Sequence, residues 1–239
     1  WNAPMLRAFG VAKLNIVDVR SAEKYALGHV PFSLNVPADI FRHHLNRPLD
    51  LAGLLGSAGV NSDHEVVIVS DAGLTTSAAL AFLAFEQLGH KRVSVLMGAI
   101  DEWGSRGHKL ATAPTLVGMM KTPRDIAVPI ATYVAKPRAD VLIGTTKGAA
   151  GAQPRIFVSS GKAPSTRTFD GRTTHLPYPE LLNADGTPKT AKELWKLISK
   201  AGVPRYAELI LYAEDLAEAA VSYYVFRLMG WPDVKVLAK

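Results

Sequence analysis

The chain has 239 residues, 48% hydrophobic and 20% charged, with a formal net charge of +6 and no cysteine. That length fits two domains of ordinary size, each with apolar material for its own core, and no apolar stretch approaches the roughly 20 residues that span a bilayer, so a soluble protein is expected. Without cysteine there is no disulfide, no thiolate nucleophile and no thiolate metal site.

The basic residues are scattered, their longest clusters being pairs such as Lys91-Arg92. No aromatic-plus-basic ladder accompanies them, so nucleic acid is not an expected partner. In chain order, the first half predicts strands near 14–19, 66–70 and 93–97, and helices near 21–27, 51–58 and 76–88. The strands are runs of consecutive apolar residues rather than alternating ones, the pattern of a parallel sheet covered on both faces. Ser21 is placed to cap the first helix, with Glu23 in its first turn. Gly28-His29-Val30-Pro31 then reads as a helix exit and turn, which makes His29 structural. His43 and His44 are neighbours that point about 100° apart on a helix and do not converge on a metal. Neither a metal nor a cofactor is expected.

The segment 110–128, with Pro114 and Pro123, reads as the linker. Beyond it, strands are expected near 140–144, 208–212 and 233–237, and helices near 191–201 and 217–229. Residues 147–172, rich in Gly, Ser, Thr and Pro, are expected to form a long surface excursion. Aromatic residues crowd the last helix: Tyr206, Tyr212, Tyr223, Tyr224, Phe226 and Trp231. Tyr223 and Phe226, three apart, fit a core. Tyr224 and Trp231 are expected at the surface, where aromatic side chains suit a protein interface.

The chain also repeats itself. Residues 50–70 (DLAGLLGSAGVNSDHEVVIVS) and 190–213 (TAKELWKLISKAGVPRYAELILYA) both give an amphipathic stretch, a Gly-Val exit, a polar turn and an apolar strand. Gly59-Val60 matches Gly202-Val203 at an offset of 143, and Val93 and Val95 match Val234 and Val236 at 141. So regular an offset marks a duplication, with domains at 1–112 and 129–239 and a linker at 113–128. Asp18 and Arg20 are taken to hold a strand–helix junction rather than to perform chemistry. Their second-copy counterparts are read as Gly144 and Thr146.

Asp18-Val19-Arg20, Glu23, Tyr25, Gly28 to Pro31, Asn35-Val36-Pro37, Val66 to Gly73, Leu88-Gly89-His90 and Gly98 to Trp103 together resemble the signature of rhodanese domains. His175 to Leu182 and Glu208 to Ala213 resemble the matching pieces of a second copy. The resemblance implies an α/β fold of two rhodanese-like domains in tandem, each a mainly parallel sheet flanked by helices on both faces. It further implies a catalytic loop in which a cysteine at the end of a central strand is cradled by backbone N–H groups, which lowers its pKa and stabilises an anion. Here that cysteine position falls on Ser70 and Ala213. The loop glycine is kept as Gly73 but falls on Leu216 in the second copy, and the loop arginine falls on Thr75 and Glu218. Thr75 and the wholly altered second loop speak for natural degeneracy over an engineered Cys-to-Ser change at Ser70. The second loop, Ala213-Glu214-Asp215-Leu216-Ala217-Glu218, carries three carboxylates that would repel thiosulfate.

The first expectation is therefore a catalytically inactive rhodanese-like protein, a protein-binding or structural subunit of a larger assembly. The second is binding or carriage of a small sulfur oxyanion at Ser70, Asp71, Ala72, Gly73, Leu74, Thr75 and Thr76, a neutral nest before an Ala-rich helix. The third is sulfurtransferase activity carried by resemblance alone. A serine-hydrolase role for Ser70 needs a base, and His64 falls at the opposite end of the strand. The start at Trp1 reads as a trimmed product and the end at Lys239 as a chain cut short of the family's final helix. The missing start Met, the basic charge and the lack of cysteine lean toward the bacterial periplasm or envelope.

Overall fold

The computed structural model describes residues 13–118, 127–146 and 153–238. The chain divides into two compact units, residues 1–73 with 84–137 and residues 74–83 with 138–239.

In the first unit β1 (Leu14–Asp18) leads through α1 (Ala22–Leu27) to β2 (Leu34–Asn35), and α2 (Ala38–His44) and α3 (Pro48–Ser57) lead to β3 (Glu65–Val69). Next in the chain come α4 (Thr76–Gln87), whose residues 76–83 count with the second unit, then β4 (Val93–Val95) and α5 (Ile100–Ser105). The strands form one parallel sheet in the order β2-β1-β3-β4. Val17, Val66, Ile68 and Val69 are all buried, which is why these strands read as continuous apolar runs. Ala78 to Phe85 in α4 are buried on every side. A helix without a solvent face needs no polar stripe, and that accounts for the most apolar run in the sequence. Within residues 113–128, β5 (Leu116–Val117) and β6 (Ala127–Val128) pair in parallel, so part of the expected linker is a small sheet.

The second unit holds β7 (Leu142–Ile143), β8 (Arg155–Ser159), β9 (Arg172–His175), α6 (Ala191–Lys200), β10 (Glu208–Tyr212), α7 (Leu216–Leu228) and β11 (Val234–Leu237). Its parallel sheet runs β7-β11-β10-β8-β9. The expected surface excursion over 147–172 is corrected here: residues 147–152 lie outside the described residues, but β8 sits beside β10 inside the sheet and β9 pairs along it. Ile156, Phe157 and Val158 are buried, and Phe169 stacks flat on Phe157 with ring centroids 4.3 Å apart. Residues 156–161 are core, whereas 162–173 are mostly exposed, so the excursion is shorter than expected rather than absent.

Register then identifies the repeat. β1 pairs β3 with Asp18 opposite Val69, and β8 pairs β10 with Ser159 opposite Tyr212. Leu14 to Arg155 and Val93 to Val234, the starts of matching strands, are each 141 residues apart. The duplication therefore reaches the first strand, and β7 is an added edge strand rather than the second copy's β1.

Two side-chain groups hold these sheets at their starting ends. Glu208 lies 2.7 Å from Arg155 Nε and 2.6 Å from Lys235 Nζ, joining β8, β10 and β11. Burial works against its charge, but the two cations hold its carboxyl below the ordinary range. In the first unit, buried His90 lies 2.7 Å from the His64 carbonyl through Nε2 and 2.8 Å from the Tyr133 hydroxyl through Nδ1. The carbonyl only accepts, so Nε2 carries the proton and Nδ1 accepts from Tyr133. Burial, with Arg92 nearby, pushes the His90 pKa below 6.5, and burial alone pushes Tyr133 well above the ordinary tyrosine range. In the unfolded chain His90 protonates near pH 6.5, while in the folded chain it stays neutral to lower pH. Stability is thus full above that pH and falls as the pH drops toward the folded value. Melting temperatures between pH 7.5 and 5.5 should decline, and His90→Gln should flatten the decline; an equally steep profile in the variant would show that His90 is not its source.

Tyr223 and Phe226 lie in the core as expected, while Trp231 does not lie at the surface: it is 1% exposed and donates from Nε1 to the Pro204 carbonyl at 3.1 Å. Tyr224 is half-buried, and the exposed aromatic residues of this unit are Trp195 and Tyr206.

Candidate functional site

Each central strand delivers a loop from its C-terminal end, the place where open parallel sheets present ligands and reactive groups. In the first copy Ser70 follows β3. It is buried, and its hydroxyl donates to the carbonyl of Gly73 at 3.0 Å. That bond closes a tight turn, and Gly73 sits at φ 53°, the left-handed region that a residue without a Cβ enters freely. Leu74, where the chain passes into the second unit, donates its amide to the Gly186 carbonyl of that same unit at 2.9 Å. Thr75 then caps α4, its hydroxyl oxygen accepting from the Ala78 amide at 3.1 Å. The amides of Ala72, Gly73, Thr75 and Thr76 have no acceptor among the described residues. Asp71 stands exposed at the tip, 2.9 Å from Lys24 Nζ. Both partners are more than half exposed, so that pair contributes little.

Ser70 spends its hydroxyl on its own loop. His64 precedes β3 and Ser70 follows it, which separates them by about 17 Å of strand. The serine–histidine arrangement of a hydrolase is not built here.

The junction beneath the loop is held by a buried ion pair. Arg20 Nη2 lies 2.6 Å from Asp18 Oδ2 and donates to the Gly28 carbonyl at 2.8 Å. Asn35 Nδ2 donates to the carbonyls of Asp18 and Arg20 at 3.1 and 2.9 Å. These bonds tie the end of β1 to β2 and to the exit of α1. The neighbouring His29 is fully buried, stacks on Tyr25 at 3.6 Å and makes paired backbone bonds with Ala111. Both groups hold the scaffold.

The second copy keeps the backbone and changes the side chains. Val36 N to Asp18 O becomes Leu176 N to Ser159 O, Ala38 N to Val19 O becomes Tyr178 N to Ser160 O, and Val19 N to Val69 O becomes Ser160 N to Tyr212 O. Asp18 and Arg20 therefore correspond to Ser159 and Gly161. Their reading as Gly144 and Thr146 is corrected, because it took the edge strand β7 for the second copy of β1.

The loop after β10 is also shorter than its sequence implies. Asp215 caps α7, its carboxylate accepting from the Ala217 amide at 3.0 Å. Only Ala213, Glu214 and Asp215 are loop; Leu216, Ala217 and Glu218 form the first helical turn. From Val69 to the cap at Thr75 is six residues, and from Tyr212 to the cap at Asp215 is three. Thr75 thus matches Asp215 rather than Glu218, and the stretch that holds Gly73 has no counterpart. The remaining space is filled from within: a Cβ on Gly161 would stand 3.3 Å from a Glu218 carboxylate oxygen and 3.8 Å from Ala213 Cβ. Ser165 donates its hydroxyl to Glu214 at 3.3 Å. Constant spacing through the strand hides this contraction. The one sequence signal for it is the match of cap residues, Thr75 with Asp215.

Comparison with known proteins agrees with this geometry. Residues 5–106 match the family described as the rhodanese-like domain. That stretch resembles a rhodanese-like domain, and the chain has no cysteine. The sulfur carrier protein TtuD of Thermus thermophilus is 27% identical over 241 residues, covering 88% of this chain and 80% of that protein. A thiosulfate sulfurtransferase of Pseudomonas aeruginosa is 21% identical, covering 95% of this chain and 86% of its own length. Among solved structures, SseA of Escherichia coli, a 3-mercaptopyruvate sulfotransferase, superposes with a TM-score of 0.77 at 20% identity, over 98% of this chain and 95% of SseA. The rhodanese fold accordingly extends over both copies. No helix among the described residues is long and apolar enough to cross a membrane.

Proposed function

We propose that this rhodanese-like chain is non-catalytic and serves as a binding or structural subunit for another protein. The observation that carries this reading is the pair of cysteine positions. One is Ser70, with its hydroxyl bonded to its own loop, and the other is Ala213, in a contracted loop lined by carboxylates. A sulfurtransferase needs a sulfur nucleophile that can hold a persulfide, and neither hydroxyl nor methyl supplies one. Trp195 and Tyr206, exposed in the second unit, are the kind of side chain that anchors a protein interface. Purified chain should show no thiosulfate:cyanide sulfurtransferase activity, and measurable turnover would overturn the non-catalytic reading. Affinity purification from native cells, with quantitative mass spectrometry, should yield a stoichiometric partner that survives moderate salt. A chain recovered alone and monodisperse would sink the subunit role.

A second reading, binding of a small sulfur oxyanion at the first loop, is favoured by the unpartnered amides of Ala72, Gly73, Thr75 and Thr76. The Thermus relative's name, sulfur carrier, points the same way. Calorimetric titration with thiosulfate, sulfite, sulfate and phosphate separates the two when Thr76→Glu is measured beside it: heat that this added loop charge abolishes marks the loop, whereas heat that survives it, or no heat, leaves the scaffold reading.

A further inference from the structure

The strongest unexplained feature lies in the first unit at the end of the sheet away from Ser70. Ser62, Asp63 and His64 immediately precede β3, Lys91 and Arg92 immediately precede β4, and Lys136 joins them around a cavity of about 540 Å³. That volume lies within the range of small-ligand sites. Three cations face it against the single carboxylate of Asp63. None of Lys91, Arg92 and Lys136 has an ion-pair or side-chain hydrogen-bond partner among the described residues, whereas Arg47, Arg106, Arg138 and Lys235 each have a carboxylate. Gathering like charges around one hollow is unfavourable unless an anion answers them.

The cavity's floor is fixed rather than loose. Val134 donates its amide to Ser62 Oγ at 3.2 Å, and Lys136 donates its amide to the Leu88 carbonyl at 2.9 Å. His90, bonded to both Tyr133 and the His64 carbonyl, clamps these segments together. Gly89, at φ 72°, lets the Lys136 carbonyl pass where a Cβ would collide. The long cationic side chains are exposed, and the backbone beside them is held, with Val66 donating to the Arg92 carbonyl at 2.9 Å.

We propose that this cavity binds a compact polyanion of the di- or triphosphate class. A single carboxylate or sulfate answers only part of three charges, whereas linked phosphates place several acceptor oxygens within reach of Arg92 and both lysines at once. The site is independent of the Ser70 loop, and neither reading of that loop depends on it.

The test is calorimetric titration of the full chain at low ionic strength with pyrophosphate and, separately, with ATP. Two triple variants accompany it. Lys91→Gln/Arg92→Gln/Lys136→Gln removes the cavity's cations, and Lys192→Gln/Lys196→Gln/Lys200→Gln removes as many from the exposed face of α6. All six residues are exposed, so both variants should fold, which circular dichroism checks. Saturable binding is expected, weakened tenfold or more by the cavity variant, less than twofold by the α6 variant, and reduced as salt rises. Equal affinity for the two probes would show that the phosphates suffice, and tighter ATP binding would show that the cavity also accepts the nucleoside; both support the site. No saturable binding of either probe would overturn it, as would equal losses in the two variants, which would mark general attraction to a basic protein.

Discussion

Replacing Arg20 by Ala is expected to destabilise the first unit by about 3–5 kcal/mol, the range for removing one partner of a buried ion pair. Asp18 is fully buried and Arg20 is 8% exposed, so water does not take the place of the lost guanidinium. The carboxylate would keep one donor, the backbone amide of residue 20 at 3.0 Å, and would lose Nε at 3.0 Å and Nη2 at 2.6 Å. The Gly28 carbonyl would lose its donor as well. Most of the loss comes from stranding a buried charge rather than from the net worth of the pair. The double variant Asp18→Asn/Arg20→Leu, which removes both charges, should therefore recover much of the stability. Urea unfolding reads the outcome: with a slope of about 2 kcal/mol/M, the single variant's midpoint should fall by roughly 2 M. A fall of less than about 0.5 M would show that the junction holds without the pair.

That junction was legible in the sequence, and the reason is local. Asp18 and Arg20 are two residues apart on one side of a turn, so the ion pair and the strand end that it caps are coded by one short segment. The central strands are equally plain. Val66 to Val69 and Leu209 to Leu211 carry no polar residue, and all of them but the half-buried Val67 are buried. The strand Arg155–Ser159 escaped for the converse reason. Its apolar run is three residues long, its ends are a charged and a hydroxyl residue, and Gly, Ser and Pro surround it. Its place inside the sheet is set by pairing with β10, more than fifty residues away, and by the ion pair of Arg155 with Glu208. No local spacing announces either.

The candidate loops divide in the same way. Ser70 and Ala213 are placed by strand register, which the offset of 143 carries correctly to the ends of β3 and β10. Beyond that point the offset stops being a guide. The chain reaches its cap three residues sooner in the second copy, and α7 is then one residue longer than α4, 13 against 12, so the later offset returns to 141. A gap and a compensating insertion leave the flanking motifs aligned while the loop between them is lost. The second copy therefore has no counterpart of the Gly73 turn. In the first copy that turn is present, closed by Ser70 and followed by the cap at Thr75.

Trp231→Ala tests the position that sequence reasoning placed at the surface, and there the two views differ by several kcal/mol. An exposed interface residue would change stability by no more than about 0.5 kcal/mol. The buried Trp231 meets the Phe226 ring edge-on at 5.3 Å between centroids and lies 5.7 Å from the Trp195 ring. Truncation to Ala leaves a cavity of indole size and should destabilise the second unit by about 3–5 kcal/mol. Trp231→Phe keeps most of the contact area and forfeits the bond to the Pro204 carbonyl, which should limit its loss to about 1–2 kcal/mol. Urea unfolding monitored by far-ultraviolet circular dichroism orders the three proteins without relying on tryptophan emission. The side chain's role follows from Gly230, which stands at φ 80° and turns the chain at the end of α7. That turn sends Trp231 back under the helix instead of outward, with its amide donating to the Phe226 carbonyl at 3.0 Å. If Trp231→Ala unfolded with an unchanged midpoint, the indole would have to lie outside the core, and the packing of α7 would rest on its own buried residues, Val221, Tyr223, Val225 and Phe226 among them.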